Sequence, residues 1–189
     1  MEDCLRFETQ AAWAAWLRKQ HAKSPGVWLE LGKKGSEVKA VSYAEALDAA
    51  LCYGWIDGQK KPGPPGTFLQ RFTRRGEHSI WSKINREKAL ALIAAGRMQP
   101  AGLVAIEHAK DNGQWEAAYD GPRNANVPED LESELRRHPQ ARAFFEKLNR
   151  QNRYAILFRL QTAKRPETRA RRLQQFVDML NRHETIHPQ

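Results

Sequence analysis

Between Cys52 and Asn85 the chain gathers a carboxylate (Asp57), several cations (Lys60, Arg71 and Arg75 among them), hydroxyls (Ser79, Ser82), an amide (Asn85) and two indoles (Trp55, Trp81). If the segments around Asp57 and Arg71 pair as strands, these groups converge near the start of a helix that opens at Ser79. Free N–H groups at such a helix end, with arginines beside them, suit a bound phosphate or carboxylate. The competing reading is structural: Asp57 closes a turn with Gly58, Arg71 pairs with Asp57, and Ser79 caps the helix. A second cluster lies at Arg165, Arg169 and Arg172, spaced i, i+4, i+7 along the edge of a helix whose buried stripe is Leu173, Phe176, Val177 and Leu180. Three forked guanidiniums in a row suit phosphate or carboxylate. They also serve as a solvated flank whose stems cover apolar surface.

His183-Glu184-Thr185-Ile186-His187 matches the spacing of zinc peptidases, in which two histidines one helical turn apart hold the metal and the glutamate activates water. Pro188 follows at once and leaves no helix to carry a third ligand, so the expectation is a frayed tail. His21, His78, His108 and His138 stand singly. With no glycine-rich phosphate loop and no nucleophile–histidine order either, the expectation is no catalytic residue, no metal and no cofactor.

The elements that must position these groups are legible in part. Thr9 caps a first helix with Trp13, Trp16 and Leu17 on one face, stopped at Ser24-Pro25-Gly26. Val27–Leu31 reads as a strand and Gly32–Ser36 as the turn after it. Ser42 and Glu45 form a capping box for a helix through Tyr53, terminated by Gly54. Trp55-Ile56 enters a short strand, a proline-rich loop (Pro62, Pro64, Pro65) follows, and Thr67–Thr73 alternates as a strand. Helices are expected over Ile80–Ala95 and Pro100–Asn112, with Trp115 and Tyr119 packing back on that pair. Turn formers cluster at Asp120–Asn124, and four helices follow: Pro128–Arg137, Pro139–Leu148, Arg150–Ala163 and Pro166 to about Arg182. The expected fold is α+β. Residues 1–121 form an N-terminal domain of helices with a small antiparallel sheet, and residues 125–184 a helical C-terminal domain.

At 189 residues the chain buries roughly 70% of its unfolded surface, so it needs no disulfide or metal staple. Cys4 and Cys52 fit neither a metal spacing nor a disulfide framework. The formal charge of +9 is local. From Arg150 to Arg172 eight basic residues face one acid, Glu167, and from Gln59 to Gly76 five basic residues face none. Such clusters favour anionic partners. MEDCLRFETQ lacks the basic, apolar order of a secretion signal, and no apolar run approaches the ~18 residues of a membrane span, so a cytoplasmic location without a membrane span is expected.

ALCYGWIDGQKK at 50–61, RFTRRGEHSIWSKIN at 71–85, GRMQPAG at 96–102 and AKRPETRARR at 163–172 together resemble the YdeI/OmpD-associated family, also labelled bacteriocin-protection proteins. Relatives usually carry Thr/Ser-Pro-Arg where this chain has Thr73-Arg74-Arg75. The resemblance implies a porin-linked role in stress response and in tolerance of cationic antimicrobial peptides. It carries over to Asp57, Ser79, Trp81 and Asn85, and to Arg75 without its preceding proline.

The resulting expectation is a non-enzymatic binding or regulatory protein whose partner is an acidic or phosphate-bearing ligand, or another protein. Its ligand residues would be Trp55, Asp57, Lys60, Arg71, Arg75, Ser79, Trp81 and Asn85, with Arg165, Arg169 and Arg172. One alternative is a nucleic-acid binder. Another is a small-molecule enzyme with Asp57 as acid or base in a pocket walled by Trp55 and Trp81.

Overall fold

The computed structural model describes residues 4–189. The chain divides into two compact units, one ending at Ala118 and the other running from Tyr119 to Gln189. All six tryptophans fall in the first.

The first unit begins with a short strand β1 (Cys4–Arg6), followed by α1 (Gln10–Gln20), β2 (Val27–Gly32) and α2 (Tyr43–Cys52). The hairpin β3 (Trp55–Pro62) and β4 (Thr67–Arg74) comes next, then α3 (Lys83–Ala94) and α4 (Pro100–Asp111). Local chemistry sets the helix starts. Thr9 accepts the Ala12 N–H at 3.2 Å. Ser42 and Glu45 form the expected reciprocal box, with the Ser42 N–H donating to the Glu45 carboxylate at 3.0 Å. Gly54 ends α2 with φ +70.

The sheet has the order β1-β2-β4-β3, with β4 antiparallel to both neighbours and β1 parallel to β2. The expected antiparallel sheet is therefore a mixed one. Its parallel edge comes from β1, whose three residues are too few to display an alternation. Along β2, Val27, Leu29 and Leu31 are buried, while Trp28 and Glu30 lie on the other face. Beneath the buried face, Trp13, Trp55 and Phe72 are fully buried beside Leu17 and the apolar residues of α2.

Two further expectations change. β3 is longer than the Trp55-Ile56 strand expected, because a register shift between Asp57 and Lys60 breaks the alternation that would have revealed it. Buried Gln70 fastens that irregularity by donating to the Gly58 and Gln59 carbonyls at 2.9 and 3.1 Å. The next helix starts at Lys83 with Ser82 as its cap, so Ser79 does not stand at a helix end. Ser79 Oγ instead accepts the Gly76 N–H at 2.9 Å, and the Ser79 N–H returns a bond to the Gly76 carbonyl at 3.0 Å. That closed turn keeps residues 76–79 out of the helix.

The second unit is helical: α5 (Glu129–Arg137), α6 (Pro139–Lys147), α7 (Arg150–Gln161) and α8 (Pro166–Asn181). Its core includes Leu131, Phe145, Ile156, Leu160, Val177 and Leu180. Tyr119 belongs to this unit, where it meets Phe158 edge-on at 4.9 Å. The C-terminal residues are docked, not frayed. Buried Asn152 accepts the His187 N–H at 2.8 Å and donates to the His187 carbonyl at 3.0 Å. His183 stacks on Phe144 at 5.0 Å, and Glu184 pairs with Arg182 at 2.9 Å. The three polar residues of the peptidase-like pattern thus take separate structural partners. Among the described residues no group of three His, Cys, Asp or Glu side chains is placed to hold a metal ion.

Taken together, the described residues form an α+β fold with eight helices and one four-stranded sheet. No helix among them is long and apolar enough to cross a membrane.

Candidate functional site

The β3–β4 hairpin is the element that organises the first cluster. Its acid-free stretch puts cations over aromatic faces. Lys60 Nζ sits 4.2 Å from the Phe68 ring centroid, Lys61 Nζ 3.9 Å from that of Trp28, and the Arg75 guanidinium carbon 3.6 Å from that of Trp81. A ring quadrupole attracts the cation and restricts it. Arg71 is half-buried and lies directly across from Trp28 in the β2–β4 register. Lys61, Trp28 and Arg71 therefore share the solvent face of the sheet.

Other members of the expected site serve the fold. Trp55 is fully buried; its indole N–H donates to the His21 carbonyl at 3.1 Å, and its ring stands edge-on to Trp13 and Trp16. Asp57 accepts the Tyr43 hydroxyl at 2.8 Å, a bond to α2 with no local signature. Arg75 Nη1 donates to the Ile80 carbonyl at 3.1 Å. Trp81 is buried edge-on to Trp115 at 4.8 Å. The Asn85 backbone N–H is the donor that Ser82 caps, at 3.1 Å. The hollow at Arg75, Ser79 and Trp81 measures about 10 Å³, room for no more than one water.

In the second unit Arg165 stands exposed at the start of α8. Arg169 grips Asp130 with two bonds, 2.6 and 2.9 Å, and donates to the Leu160 carbonyl at 2.8 Å. Arg172 donates to the Arg159 carbonyl at 2.6 Å. Two of the three guanidiniums thus tie α8 to α7, and one of these also ties it to α5.

The Arg169 hydrogen bonds hold the Asp130 carboxyl below its usual range. A depressed folded-state pKa stabilises the fold above the unfolded value of about 4 and loses that contribution as pH falls through the lower one. Arg169→Met should therefore cost about 1–2 kcal/mol at neutral pH, kept small because the two side chains are 31% and 36% exposed. Below pH about 4 the gap between variant and wild type should narrow. Urea unfolding across that range checks both points, and a gap that widens in acid would contradict them.

Larger hollows lie elsewhere among the described residues. One, of about 320 Å³ in the first unit, is lined by Cys52, Tyr53, Arg97 and Gln99 among others. Here the 50–61 and 96–102 stretches meet, the Gln99 N–H donating to the Cys52 carbonyl at 3.1 Å. Gly102 packs so tightly under the end of α2 that a Cβ would press on the Cys52 carbonyl and the Met98 sulfur, which gives that stretch a packing role. Burial pushes the Cys52 thiol pKa up, so it stays protonated. A second, of about 350 Å³, lies in the second unit among α5, α6 and α7. Its residues come from separate helices with no shared spacing, so no sequence pattern announces it.

These features define a two-unit α+β protein, with a cation-bearing hairpin on a small mixed sheet and a separate helical unit. The chain belongs to the family described as Domain of unknown function (DUF8412), whose model matches residues 5–105, and the model of the family described as Bacteriocin-protection, YdeI or OmpD-Associated matches residues 124–183 of the helical unit. The 163–172 stretch lies inside the second match, and the other three stretches inside the first. No curated protein and no solved structure matches the chain.

Proposed function

We propose that this is a non-enzymatic, cytoplasmic binding or regulatory protein in bacteriocin protection and envelope-stress resistance, whose β3–β4 hairpin holds an acidic or phosphate-bearing partner. The observation that carries this reading is the pair of hairpin lysines fixed over rings, Lys60 on Phe68 and Lys61 on Trp28. Each is restrained before any partner arrives, which lowers the entropy lost on binding. Arg71 adds a further charge on the same ribbon, and of Arg165, Arg169 and Arg172 it is Arg165 that stands exposed. The bacteriocin-protection role is supported by the match of the helical unit.

Deletion should raise sensitivity to polymyxin-type peptides. Wild-type chain should restore resistance, and the charge-reversed pair Lys60→Glu with Lys61→Glu should not. Unchanged sensitivity of the deletion strain across several such peptides would remove the reading. A second reading, nucleic-acid binding, is favoured by the Trp28 indole beside Lys61 on the solvent face, a base-stacking arrangement. Binding in a low-salt mobility shift that falls steeply with added salt would move the assignment there.

A further inference from the structure

The hollow among α5, α6 and α7 combines an apolar floor with a cationic rim. Leu135 of α5 and Phe145 of α6 are almost fully buried, and Val127 completes the floor. Above it stand Arg136, Arg142 and Arg153, one from each of α5, α6 and α7, with Glu132 and Glu146 on the same rim. Three arginines against two glutamates leave the rim net positive. Arg142 already holds Glu146, Nε to Oε1 at 3.1 Å, so the acid nearest that arginine is neutralised within the protein. The other arginines set the polarity of the space.

Arg153 is the best placed of them. Its guanidinium carbon lies 4.7 Å from the Phe145 ring centroid, half-buried over the floor. A guanidinium over a ring keeps its N–H fork in its own plane, the geometry that receives a carboxylate through two parallel bonds. Arg153 also sits in the first turn of α7, where the helix dipole adds positive potential. At about 350 Å³ the space falls in the lower part of the range of small-molecule sites. A bare inorganic anion would leave the Leu135, Phe145 and Val127 surfaces wet, and a neutral hydrocarbon would leave the guanidinium fork unanswered.

We infer that this hollow binds a small organic carboxylate with an aromatic or branched apolar body, the carboxylate on Arg153 and the body against Phe145 and Leu135. The site lies in a different unit from the β3–β4 hairpin and stands or falls independently of the function proposed for it.

The test uses the full chain with 2-naphthoate as probe, 2-naphthamide as its neutral counterpart and sulfate as charge without a body, followed by calorimetry and by amide chemical shifts. Naphthoate should bind and shift the resonances of Leu135, Phe145 and Arg153, with naphthamide and sulfate each weaker by about tenfold or more. Arg153→Met, which keeps an apolar stem on the ring, should weaken naphthoate by about tenfold or more with little change in melting temperature. Arg136→Gln, on the exposed rim, serves as a second variant if Arg153→Met unfolds, and should weaken naphthoate by a smaller factor. Naphthoate that does not bind, that binds without shifting those residues, that is matched by the amide or by sulfate, or that is indifferent to the loss of rim charge would overturn the inference.

Discussion

Trp13→Ala should destabilise the first unit by about 3–5 kcal/mol, the largest effect expected of a single substitution in this chain. The side chain is fully buried and touches most of the aromatic centre: Phe7 at 5.6 Å, Trp16 stacked at 5.2 Å, Trp55 edge-on at 6.4 Å and Phe72 at 5.8 Å. Its indole N–H also donates to the Ala46 carbonyl at 3.1 Å, so truncation opens a cavity and strands an acceptor at the α1–α2 contact together. Because these rings support one another and rigid walls relax only partly, the void should persist. Calorimetry should show the transition of the first unit lowered by roughly 10–20 °C. A shift of only a few degrees would mean that the aromatic centre closes over the gap.

Gly54→Ala is the second large effect, about 2–4 kcal/mol, because two penalties coincide there. The residue has φ +70, which a Cβ disfavours, and that Cβ would lie 2.7 Å from the Ala101 carbonyl oxygen and 3.2 Å from Ala105 Cβ. Both neighbours belong to α4, so the strain falls on the contact between the end of α2 and that helix. Gly35 supplies the control. It has φ +80 with open space around it, so Gly35→Ala should show the conformational penalty alone, about 1–2 kcal/mol. Urea midpoints for the two variants separate backbone strain from steric conflict, and equal losses would show that the close approach to α4 costs nothing.

Features decided by neighbours in sequence were legible from sequence. Thr9 and the Ser42–Glu45 pair announce their helices because a cap is a local hydrogen bond. Val27–Leu31 and Thr67–Thr73 read as strands because one face is buried and the alternation survives. The choice of Ser82 over Ser79 as cap was not legible, since it depends on which hydroxyl a turn has already engaged. β3 was cut short because its irregularity, its exposed lysines and its closing proline imitate a loop. The candidate site divides in the same way. Arg169 and Arg172 lie on α8 with the buried stripe, whereas Arg165 stands exposed at its N-cap. That Asp130 and the Arg159 and Leu160 carbonyls engage two of them is tertiary information. The Arg153–Phe145 stack joins two helices and had no sequence signature.

The confinement of every indole to the first unit has an optical consequence. Emission excited at the red edge, where tyrosine does not absorb, reports melting of residues up to Ala118, while the helices beyond it are silent in that channel. Far-ultraviolet dichroism sees both. Following one sample by the two signals during denaturation therefore shows whether the halves melt together or in sequence, without labels and without cutting the chain.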